Sequence, residues 1–530
     1  MYKTNYILLV FLSGCLFWGC RKDAVLGAYP YGSDKEPLNV KLSTETLRPS
    51  ISAPGTTVTL YGSGFAKYKK EELLVRFNGA PAEVLTVSDT RLDVKVPARA
   101  SSGMITLTIN KQVLAGPLQQ ISGPVAADAS FKSFPGASGG VVFRIRFQDD
   151  GKYVIMGSFN DYDNSGEADG MNGMARLNPD GSVDRSFKSR RGFLGGRVLD
   201  ALPLPDGRYL VAGSFSHYRN RFTGRVQNMI TLNQDGTPDT VLVHYTGLAQ
   251  VDTVPALGLG FDAPVTALHR QTDGKIVLTG DFRKVYRKTY GGVSADGKRD
   301  SVLIDTLRIN YLARLNADLT IDTTYNFDPA LPAGKPAVNG AISDSYLNSA
   351  DQLMIAGSFT TFNGAAAVRL ARVDTLGALD PTFNVGTGPD NTVSSIDQLP
   401  DGRVVAAGYF VNVAGKPVKK VALFSATGAL DNNFDPGEST VGSLSHIRVL
   451  DNGKILISGF FDLFQGYKRS GAAILEPDGK LSATYNNFGG FQNGFIGASA
   501  PLAGRSSLVL VGAFTSFDLK PVSGIVKLNY

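Results

Sequence analysis

The sequence is poor in several residue types that mark common classes of protein. Its two cysteines, Cys15 and Cys20, both lie near the start of a 530-residue chain, so the rest can hold neither a disulfide framework nor a cysteine-ligated zinc ion. The four histidines show no zinc-binding spacing, and the chain lacks a nucleophile elbow, a phosphate-binding loop and a dinucleotide fingerprint. The formal net charge of +6 is modest for this length and does not favour nucleic acid as a partner.

Glycine and proline are abundant instead. The chain contains 60 glycines and 26 prolines, yet 43% of its residues are hydrophobic. A disordered chain would contain fewer apolar residues, so this composition indicates many short strands joined by turns around a large core. We therefore predict an all-β fold.

A ten-residue motif recurs along the chain. Its clearest copy, residues 401–410, combines an Asp-Gly turn with an apolar run, a glycine and an aromatic residue. Asp-Gly between apolar alternating segments indicates a hairpin, because the turn needs a positive φ that glycine adopts without steric cost. The second glycine of the seven copies is Gly157, Gly213, Gly280, Gly357, Gly408, Gly459 and Gly512. Such repetition predicts a radial β array.

A second motif alternates with the first, for example at residues 175–187 and 371–383. Together the two motifs resemble the delta-60 repeat β-propeller family, and the resemblance covers residues 124–530. It implies a propeller, which we expect to have seven blades, and no particular activity, because a fold does not define a function. Repeat aspartates such as Asp184 belong to the turn motif, and we assign them no catalytic role.

The two ends of this array are complementary. Residues 128–131 match the tail of the second motif but precede the first copy, whereas residues 526–530 stop just short of that tail. We therefore expect residues 128–131 to supply the outer strand of the last blade, which closes the ring and removes an exposed sheet edge.

Residues 39–123 contain short strands in which apolar residues alternate with polar ones. The segments 58–65, 75–82 and 94–97 resemble the IPT/TIG immunoglobulin-like family. This resemblance implies a small sandwich that serves as a spacer or an interaction domain, and it implies no chemistry.

The first residues resemble a bacterial lipoprotein signal of the Bacteroidota type. Lys3 precedes an apolar run over residues 6–18 that is too short for a spanning helix with flanks, and a charged run follows Cys20. The resemblance implies a signal peptide at residues 1–19, a lipid on Cys20, and an outer-membrane anchor that displays the protein on the cell surface.

Two alternatives stay open for this segment. Cys15 ends a better lipobox after a shorter apolar core, and an ordinary cleaved signal would carry no lipid. Residues 20–38 mix charge, glycine and proline without periodicity, which is typical of a tether.

The expected working surface is one face of the disc. We name the four strands of a repeat A to D, as in residues 393–399, 404–409, 419–424 and 430–434. Because neighbouring strands alternate in direction, the tight A–B and C–D turns share one face, and the B–C and D–A loops share the other. The long variable segments, residues 241–262, 283–308 and 326–341, all fall on the second face, where function is expected.

Aromatic and cationic residues are interleaved in the B–C loops. The aromatic rings are suited to stack on sugars, and the neighbouring cations to bind carboxylate or sulfate groups. The predicted ligand-binding residues are Arg219, Arg221, Phe222, Lys284, Tyr286, Arg287, Lys288, Tyr290, Tyr467 and Lys468. The alternative is that these are solvated loop charges and tyrosines that cover a neighbouring loop.

One B–C loop is acidic. Its residues Asp161, Asp163, Ser165 and Asp169 resemble the D-x-D-x-D-G-x-x-D calcium loops of other propellers, with serine in place of the third acid. We expect either a structural calcium ion or a solvated acidic hairpin, and no other cofactor.

Polar residues also flank the packing positions of the A strands, which border the axial channel of a propeller. Arg144, Asp200 and His446 are the residues that would supply general acid/base chemistry if the protein is an enzyme. The simpler interpretation is a set of mutually paired charges that fills a wet tunnel.

The favoured function is binding of an extracellular, negatively charged polysaccharide by a surface-anchored lipoprotein, since lipoproteins of the type it resembles often serve glycan uptake. The expected partners are this polysaccharide or an envelope protein, and the membrane through the lipid anchor, but no nucleic acid. The first alternative is a propeller lyase or glycosidase at the channel mouth. The second is a structural or protein-interaction component of an envelope complex.

Overall fold

Short strands joined by tight turns make up nearly all of the regular structure. The computed structural model describes residues 37–164, 171–189, 192–219, 226–244, 251–291, 302–437, 442–492, 494–502 and 505–530. Within these ranges the helices are two 3-10 turns, Phe65–Lys67 and Lys70–Glu72, and no helix is long and apolar enough to cross a membrane. The prediction of an all-β fold is confirmed.

The chain divides into residues 1–40 and residues 41–530. The second unit begins with a two-sheet sandwich, in which alternate residues such as Val58 and Leu60 are buried. One sheet has the strand order Lys41–Leu42, Thr57–Ser63, Arg91–Lys95, Glu83–Val87; the other has the order Ile51–Ser52, Gln112–Ile121, Gly103–Ile109, Leu74–Phe77, Ala80–Pro81.

The repeats form a series of antiparallel sheets, each built from strands A, B and C with B in the centre. In the described residues these are sheet 1, Val142–Phe147, Tyr153–Gly157 and Met174–Leu177; sheet 2, Val198–Pro203, Tyr209–Gly213 and Met229–Leu232; sheet 3, Val265–Arg270, Ile276–Gly280 and Leu312–Leu315; sheet 4, Ile342–Leu347, Leu353–Gly357 and Leu370–Val373; sheet 5, Val393–Gln398, Val404–Gly408 and Val421–Phe424; sheet 6, Ser443–Val449, Ile455–Phe460 and Ala472–Leu475; and sheet 7, Phe495–Pro501, Ser507–Ala513 and Ile525–Asn529.

The A strands surround a common axis. Each A strand contacts that of the next sheet, and the A strand of sheet 7 contacts that of sheet 1. Apolar side chains fill the space between neighbouring sheets: Met354 of sheet 4, for example, shares a buried cluster with Ile396 and Ala406 of sheet 5. This cyclic packing of sheets is the architecture of a propeller.

The predicted strand D is reduced to a single bridge in several sheets, for example between Leu177 and Val183 in sheet 1. The next residue, Asp184, turns the chain away. Its carboxylate accepts hydrogen bonds from the backbone nitrogen and the hydroxyl of Ser186, at 3.0 and 2.6 Å. An aspartate that bonds the backbone two residues ahead stabilises a turn and competes with extension of the strand.

The two ends of the array meet in sheet 7. Ala126–Ala127 pairs with Ile525–Asn529, so the strand lies two residues before the predicted stretch. Asp128 then has the role that Asp184 has in sheet 1: it accepts from Ser130 and pairs with Lys527 at 2.8 Å. The N-terminal segment therefore completes the last sheet with both its backbone and its carboxylate.

The two glycines of the motif are needed for different structural reasons. Gly402 in the A–B turn has φ +88°, which disfavours any side chain, and Asp351 takes up this conformation where the motif lacks glycine. Gly408 at the end of strand B instead allows close backbone approach, because a Cβ atom there would overlap the carbonyl oxygen of Thr392. The motif thus marks a turn and a crossing point of strands A and B.

An arginine on strand C joins neighbouring sheets. Arg176 in sheet 1 pairs with Asp184 at 2.7 Å and donates to the carbonyl oxygen of Gln234 in sheet 2 at 2.5 Å. Arg314 and Arg372 repeat the same bridge from sheet 3 to Thr375 and from sheet 4 to Ala426. The second repeat motif therefore encodes a link between sheets.

The connections between the main sheets form small sheets of their own. They pair Ala137–Ser138 with Asp161–Tyr162; Phe193–Leu194 with His217–Tyr218; Thr240–His244 with Val251–Pro255; Leu259–Phe261 with Lys284–Tyr290 and the latter with Val302–Arg308; Phe327–Asp328 with Ala333–Gly334; Thr361–Phe362 with Ala365–Ala366; Asn412–Val413 with Lys416–Pro417; Leu463–Phe464 with Tyr467–Lys468; and Ser516–Phe517 with both Phe491–Gln492 and Lys520–Pro521.

Candidate functional site

The junction between sheets 2 and 3 departs from the repeat. The position on strand C that holds Arg176 in sheet 1 holds Thr231 in sheet 2, as the pairing with strand B shows. Thr231 is buried and donates to Asp239 at 3.0 Å, but it is too short to reach the next sheet. In sheets 5 and 6 the same position holds Leu423 and Ile474, which fill the space with apolar atoms.

A cavity of about 440 Å³ opens at this junction. Thr231 lines it on the side of sheet 2, and the C–D turn of sheet 3 lines it through residues 318–321. Leu257 and Leu259 supply apolar surface, and the cations are Arg208, Arg287 and Lys288. The cavity lies where the bridging arginine of the repeat would extend.

The long hairpin of sheet 3 closes the cavity. The backbone nitrogen of Lys288 donates to the carbonyl oxygen of Gly258 at 2.7 Å, which draws this part of the hairpin against the connection from sheet 2. As a result Lys288 is only 8% exposed, whereas Lys284 on the same strand is exposed. Because the hairpin and the C–D turn of sheet 3 line one cavity, the hairpin is not confined to the B–C loop face.

Two of the three cationic side chains at the cavity form ion pairs with aspartates. Burial lowers the pKa of Lys288 to about 8. Arg287 forms an ion pair with Asp305 on the opposite strand, and Arg208 pairs with Asp239 at 2.7 Å. These pairs fix the two guanidinium groups at the wall, and a buried ammonium favours an anionic ligand because burial strengthens the attraction between charges.

The structure brings two of the predicted ligand-binding residues, Arg287 and Lys288, to the cavity. Tyr286 and Tyr290 are half-buried in the same hairpin, and neither they nor Lys284 belong to the described cavity wall. The guanidinium of Arg219 donates to the carbonyl oxygen of Lys188 and lies 5.7 Å from the centre of the Tyr218 ring. Two further predicted residues, Arg221 and Phe222, lie outside the described residues.

Tyr467 and Lys468 lie in the B–C hairpin of sheet 6, at the contact between the sandwich and the propeller. Arg99 of the sandwich and Arg469 stack on the Tyr467 ring at 5.2 and 5.4 Å. Arg469 is 2% exposed and donates to Ser101 at 3.1 Å. Lys468 accepts a hydrogen bond from Ser101 through its carbonyl oxygen at 3.5 Å, and its ammonium lies 4.0 Å from Asp462.

The channel residues bind one another. Asp200 is fully buried and accepts two hydrogen bonds from Arg146, at 2.7 and 2.5 Å, and one from the backbone nitrogen of Leu268 at 2.9 Å. Burial alone would raise the pKa of Asp200, but Arg146 and Arg144 outweigh it and lower the pKa to about 2. Arg144 lies 3.7 Å from the same carboxylate.

His446 does not contact this carboxylate. It is buried, and its Nε2 atom hydrogen-bonds the hydroxyl of Ser499 in sheet 7 at 2.9 Å. Burial, with Arg448 and Arg144 nearby, lowers the pKa of His446 to about 3, so the imidazole is neutral at pH 7. His269 repeats the arrangement with Ser345 at 2.8 Å. These contacts link neighbouring sheets, which agrees with mutually paired groups in the tunnel.

The predicted calcium loop is described only in part. Ser165 and Asp169 lie outside the described residues. Asp163 already pairs with Lys132 at 2.6 Å, and Asp161 accepts a hydrogen bond from the backbone nitrogen of Tyr162. No group of three or more His, Cys, Asp or Glu side chains that could hold a metal ion occurs within the described part of the chain. Cys20 also lies outside that part.

Sequence reasoning did not identify Thr231 and Arg208 as site residues. A signal was present, since the second motif reads Ala-Arg at residues 175–176, 313–314 and 371–372 but Ile-Thr at residues 230–231. A missing motif residue in an otherwise regular array marks a place where the repeated contact is absent.

Two family models match the sequence. The model described as a domain of unknown function (DUF5122) beta-propeller matches residues 148–187, 204–240, 351–383 and 399–434. The IPT/TIG domain model matches residues 43–124. No curated protein matches the chain by sequence.

Solved structures with related folds share little sequence with this chain. A Bacteroides thetaiotaomicron protein of unknown function has 11% identity and a TM-score of 0.32, covering 93% of this chain and 98% of its own. A catalytically inactive virginiamycin B lyase from Staphylococcus aureus has 11% identity and a TM-score of 0.37, and the match covers 77% of this chain and 100% of the lyase chain. An auxiliary nutrient binding protein from Bacteroides ovatus has 13% identity and a TM-score of 0.27, and the match covers 79% of this chain and 96% of that protein's chain. Likeness at this level carries no argument about function.

Proposed function

The chain combines an IPT/TIG domain with a DUF5122 β-propeller, and we propose that it binds a negatively charged extracellular polysaccharide. The observation that carries this proposal is the cavity between sheets 2 and 3, which Thr231 leaves open and which Arg287 and Lys288 line. Two of the ten residues predicted to bind the ligand, Arg287 and Lys288, therefore lie at the proposed site.

The wall of the cavity matches the chemistry of a sugar acid. Leu257 and Leu259 offer apolar surface for the carbon skeleton of a ring, while the ammonium of Lys288 attracts a carboxylate. The cavity volume of about 440 Å³ lies in the range of ordinary ligand pockets and would hold a short segment of a chain.

A single contact of this kind is weak. A site with a binding free energy of about −4 kcal/mol has a dissociation constant near the millimolar range. On a polymer, many neighbouring copies of the ligand and many anchored proteins raise the overall affinity without any new contact. Weak individual sites are therefore compatible with retention of a polysaccharide.

The proposal includes a lipid anchor at the outer membrane. Its support is the resemblance of the N-terminal residues to a lipoprotein signal, with Cys20 as the acylated residue. Metabolic labelling with an alkyne fatty acid tests it. We expect Cys20→Ser to remove the label and Cys15→Ser to retain it, and the reverse result would move the anchor to Cys15.

Titration calorimetry with tetragalacturonate and its methyl ester tests the ligand class. The two probes share their rings and differ in charge, so we expect heat from the acid and none from the ester. Lys288→Gln should weaken binding of the acid at least about tenfold, because a charged hydrogen bond contributes about 1.5 to 3 kcal/mol. Lys480→Gln, on an exposed turn of sheet 6, is the matched control and should change nothing. Equal binding of acid and ester would contradict an anionic ligand.

A further inference from the structure

A second cavity, of about 650 Å³, lies at the opposite set of turns. The ends of the A strands of sheets 7, 1, 2 and 3 converge there, and the A–B turns of sheets 1 and 2 form its rim. This is the mouth of the axial passage on the face formed by the tight A–B turns. The cavity shares no lining residue with the one between sheets 2 and 3.

An exposed aromatic ring forms part of the wall. Phe147 is 42% exposed, and its ring packs at 5.4 Å on the buried ring of Tyr153. The backbone of Phe147 is held in strand A of sheet 1, opposite Tyr153 on strand B. The ring is therefore fixed in place with one side available, which is the arrangement of a stacking platform.

Polar groups with spare hydrogen-bonding capacity surround this ring. The side chains of Arg270 and Asp149 are exposed and make no hydrogen bond or ion pair with any residue of the described chain. The side-chain oxygen of Gln148 is buried in the wall and has no hydrogen-bond partner in the described chain, although its amide nitrogen donates to Tyr209 at 2.9 Å. A donor and two acceptors thus lie beside the platform.

The other cations at the mouth are already engaged. Arg146 is bound to Asp200, and Arg176 is bound to Asp184. Among the described lining residues, Arg270 is the cation without an ion pair, and the acidic residues Asp149 and Asp150 lie on the same rim. An anion gains little at such a mouth, whereas a ring that carries several neutral hydroxyl groups can both donate to the carboxylates and accept from the guanidinium.

We propose that the channel mouth on the A–B turn face binds a pyranose ring of a neutral saccharide, stacked on Phe147 and hydrogen-bonded by Arg270, Asp149 and Gln148. The site is independent of the anionic site at the hairpin. One chain then has two sugar sites of different charge preference on different parts of the propeller, and a mixed polysaccharide would engage both.

Saturation-transfer NMR tests this proposal on the full-length protein, with cellotetraose, mannotetraose and xylotetraose as probes. We expect a difference signal with at least one of them. Phe147→Ala should reduce that signal at least about fivefold, since an aromatic contact changes affinity by roughly this factor. Phe147→Tyr should retain it, and Arg270→Ala should reduce it.

Two controls separate the outcomes. Tyr409→Ala removes another exposed aromatic ring and should leave the signal unchanged. Thr231→Arg should also leave it unchanged, even though it blocks the anionic site. Absence of a signal from all three probes, or an unchanged signal with Phe147→Ala in a variant that melts like the wild type, would overturn the proposal.

Discussion

Two neighbouring junctions of the propeller differ in the residue at one position of strand C. Between sheets 1 and 2, Arg176 pairs with Asp184 and reaches the carbonyl oxygen of Gln234, so a side chain bridges the two sheets. Between sheets 2 and 3, Thr231 stops short and leaves a cavity of about 440 Å³. The backbone pairing of strands B and C is the same in both sheets.

The comparison shows how a repeat can lose a link without losing its sheet. At the axis, the open junction keeps a strong connection, because Asp200 of sheet 2 accepts a hydrogen bond from the backbone nitrogen of Leu268 in sheet 3. The outer edge is then free to carry a hairpin and a cavity. The contact that holds the two sheets together lies at the inner end of the junction, and the candidate binding site lies at the outer end.

The largest expected effect follows from removal of the inner connection. Asp200→Ala leaves the guanidinium of Arg146 without its buried partner, and such a change costs about 3 to 5 kcal/mol. We expect the free energy of unfolding in urea to fall by about 4 kcal/mol. Asp401→Ala, at an exposed A–B turn, should change it far less. A loss at Asp200 no larger than at Asp401 would contradict the inner connection.

The same carboxylate makes a prediction about acid. Its folded pKa of about 2 lies below the unfolded value, so its contribution is complete above about pH 4 and is lost as the pH falls towards 2. Asp200→Asn removes this titration. We therefore expect the variant to lose less stability than the wild type between pH 4 and 2, and parallel losses would show that Asp200 does not titrate as inferred.

Removal of the outer link of the closed junction should have the next largest effect. Arg176→Ala leaves Asp184 with Lys152 as its remaining ion-pair partner at 2.8 Å, and we expect a loss of about 3 kcal/mol in the free energy of unfolding. Thr231→Ala at the open junction should cost about 1 kcal/mol, the value of one hydrogen bond. Comparable losses in the free energy of unfolding at the two positions would contradict the inferred difference between the junctions.

The open junction should respond to alkaline pH. Lys288 has a pKa of about 8, so about a tenth of it is charged at pH 9, and we expect tetragalacturonate to bind about five- to tenfold more weakly there than at pH 7. The folded pKa lies below that of an unfolded lysine, so this group adds stability as the pH rises above 8, and unfolding is not the cause. Binding to Lys288→Gln should be flat over this range, and a steep decline there would implicate another group.

The smallest expected effect concerns the closing junction. Asp128→Ala removes the partner of Lys527, both of which are 15% exposed, and should cost about 1 kcal/mol in urea unfolding. Asp128→Glu is a useful comparison, because it keeps the charge but not the turn with Ser130. A loss as large as that of Arg176→Ala would mean that closure depends on this pair more than the geometry indicates.

Much of the architecture could be predicted from local pattern. The Asp-Gly turns and the second motif glycine require particular backbone geometry, so they indicate the repeated sheets directly. The role of Asp128 followed from its match to Asp184, and the structure differs by two residues in the position of the strand.

The site was less predictable because its geometry depends on contacts between distant residues. Arg287 and Lys288 were identified by type, but their position beside the C–D turn of sheet 3 depends on how the hairpin folds back. Tyr467 was identified as a residue of a B–C loop, but its contact with Arg99 depends on the position of the sandwich, which no local pattern reveals. Nothing in the local sequence distinguishes Phe147 from other strand residues next to a tight turn.

The most direct test of the central claim is Thr231→Arg, which restores the residue of the repeat at the open junction. By analogy with Arg176, the new side chain should extend into the cavity and link sheets 2 and 3. We predict that calorimetry with tetragalacturonate shows no heat for this variant, while its urea midpoint stays at or above that of the wild type. Unchanged affinity in a folded Thr231→Arg variant would contradict the assignment of binding to this cavity.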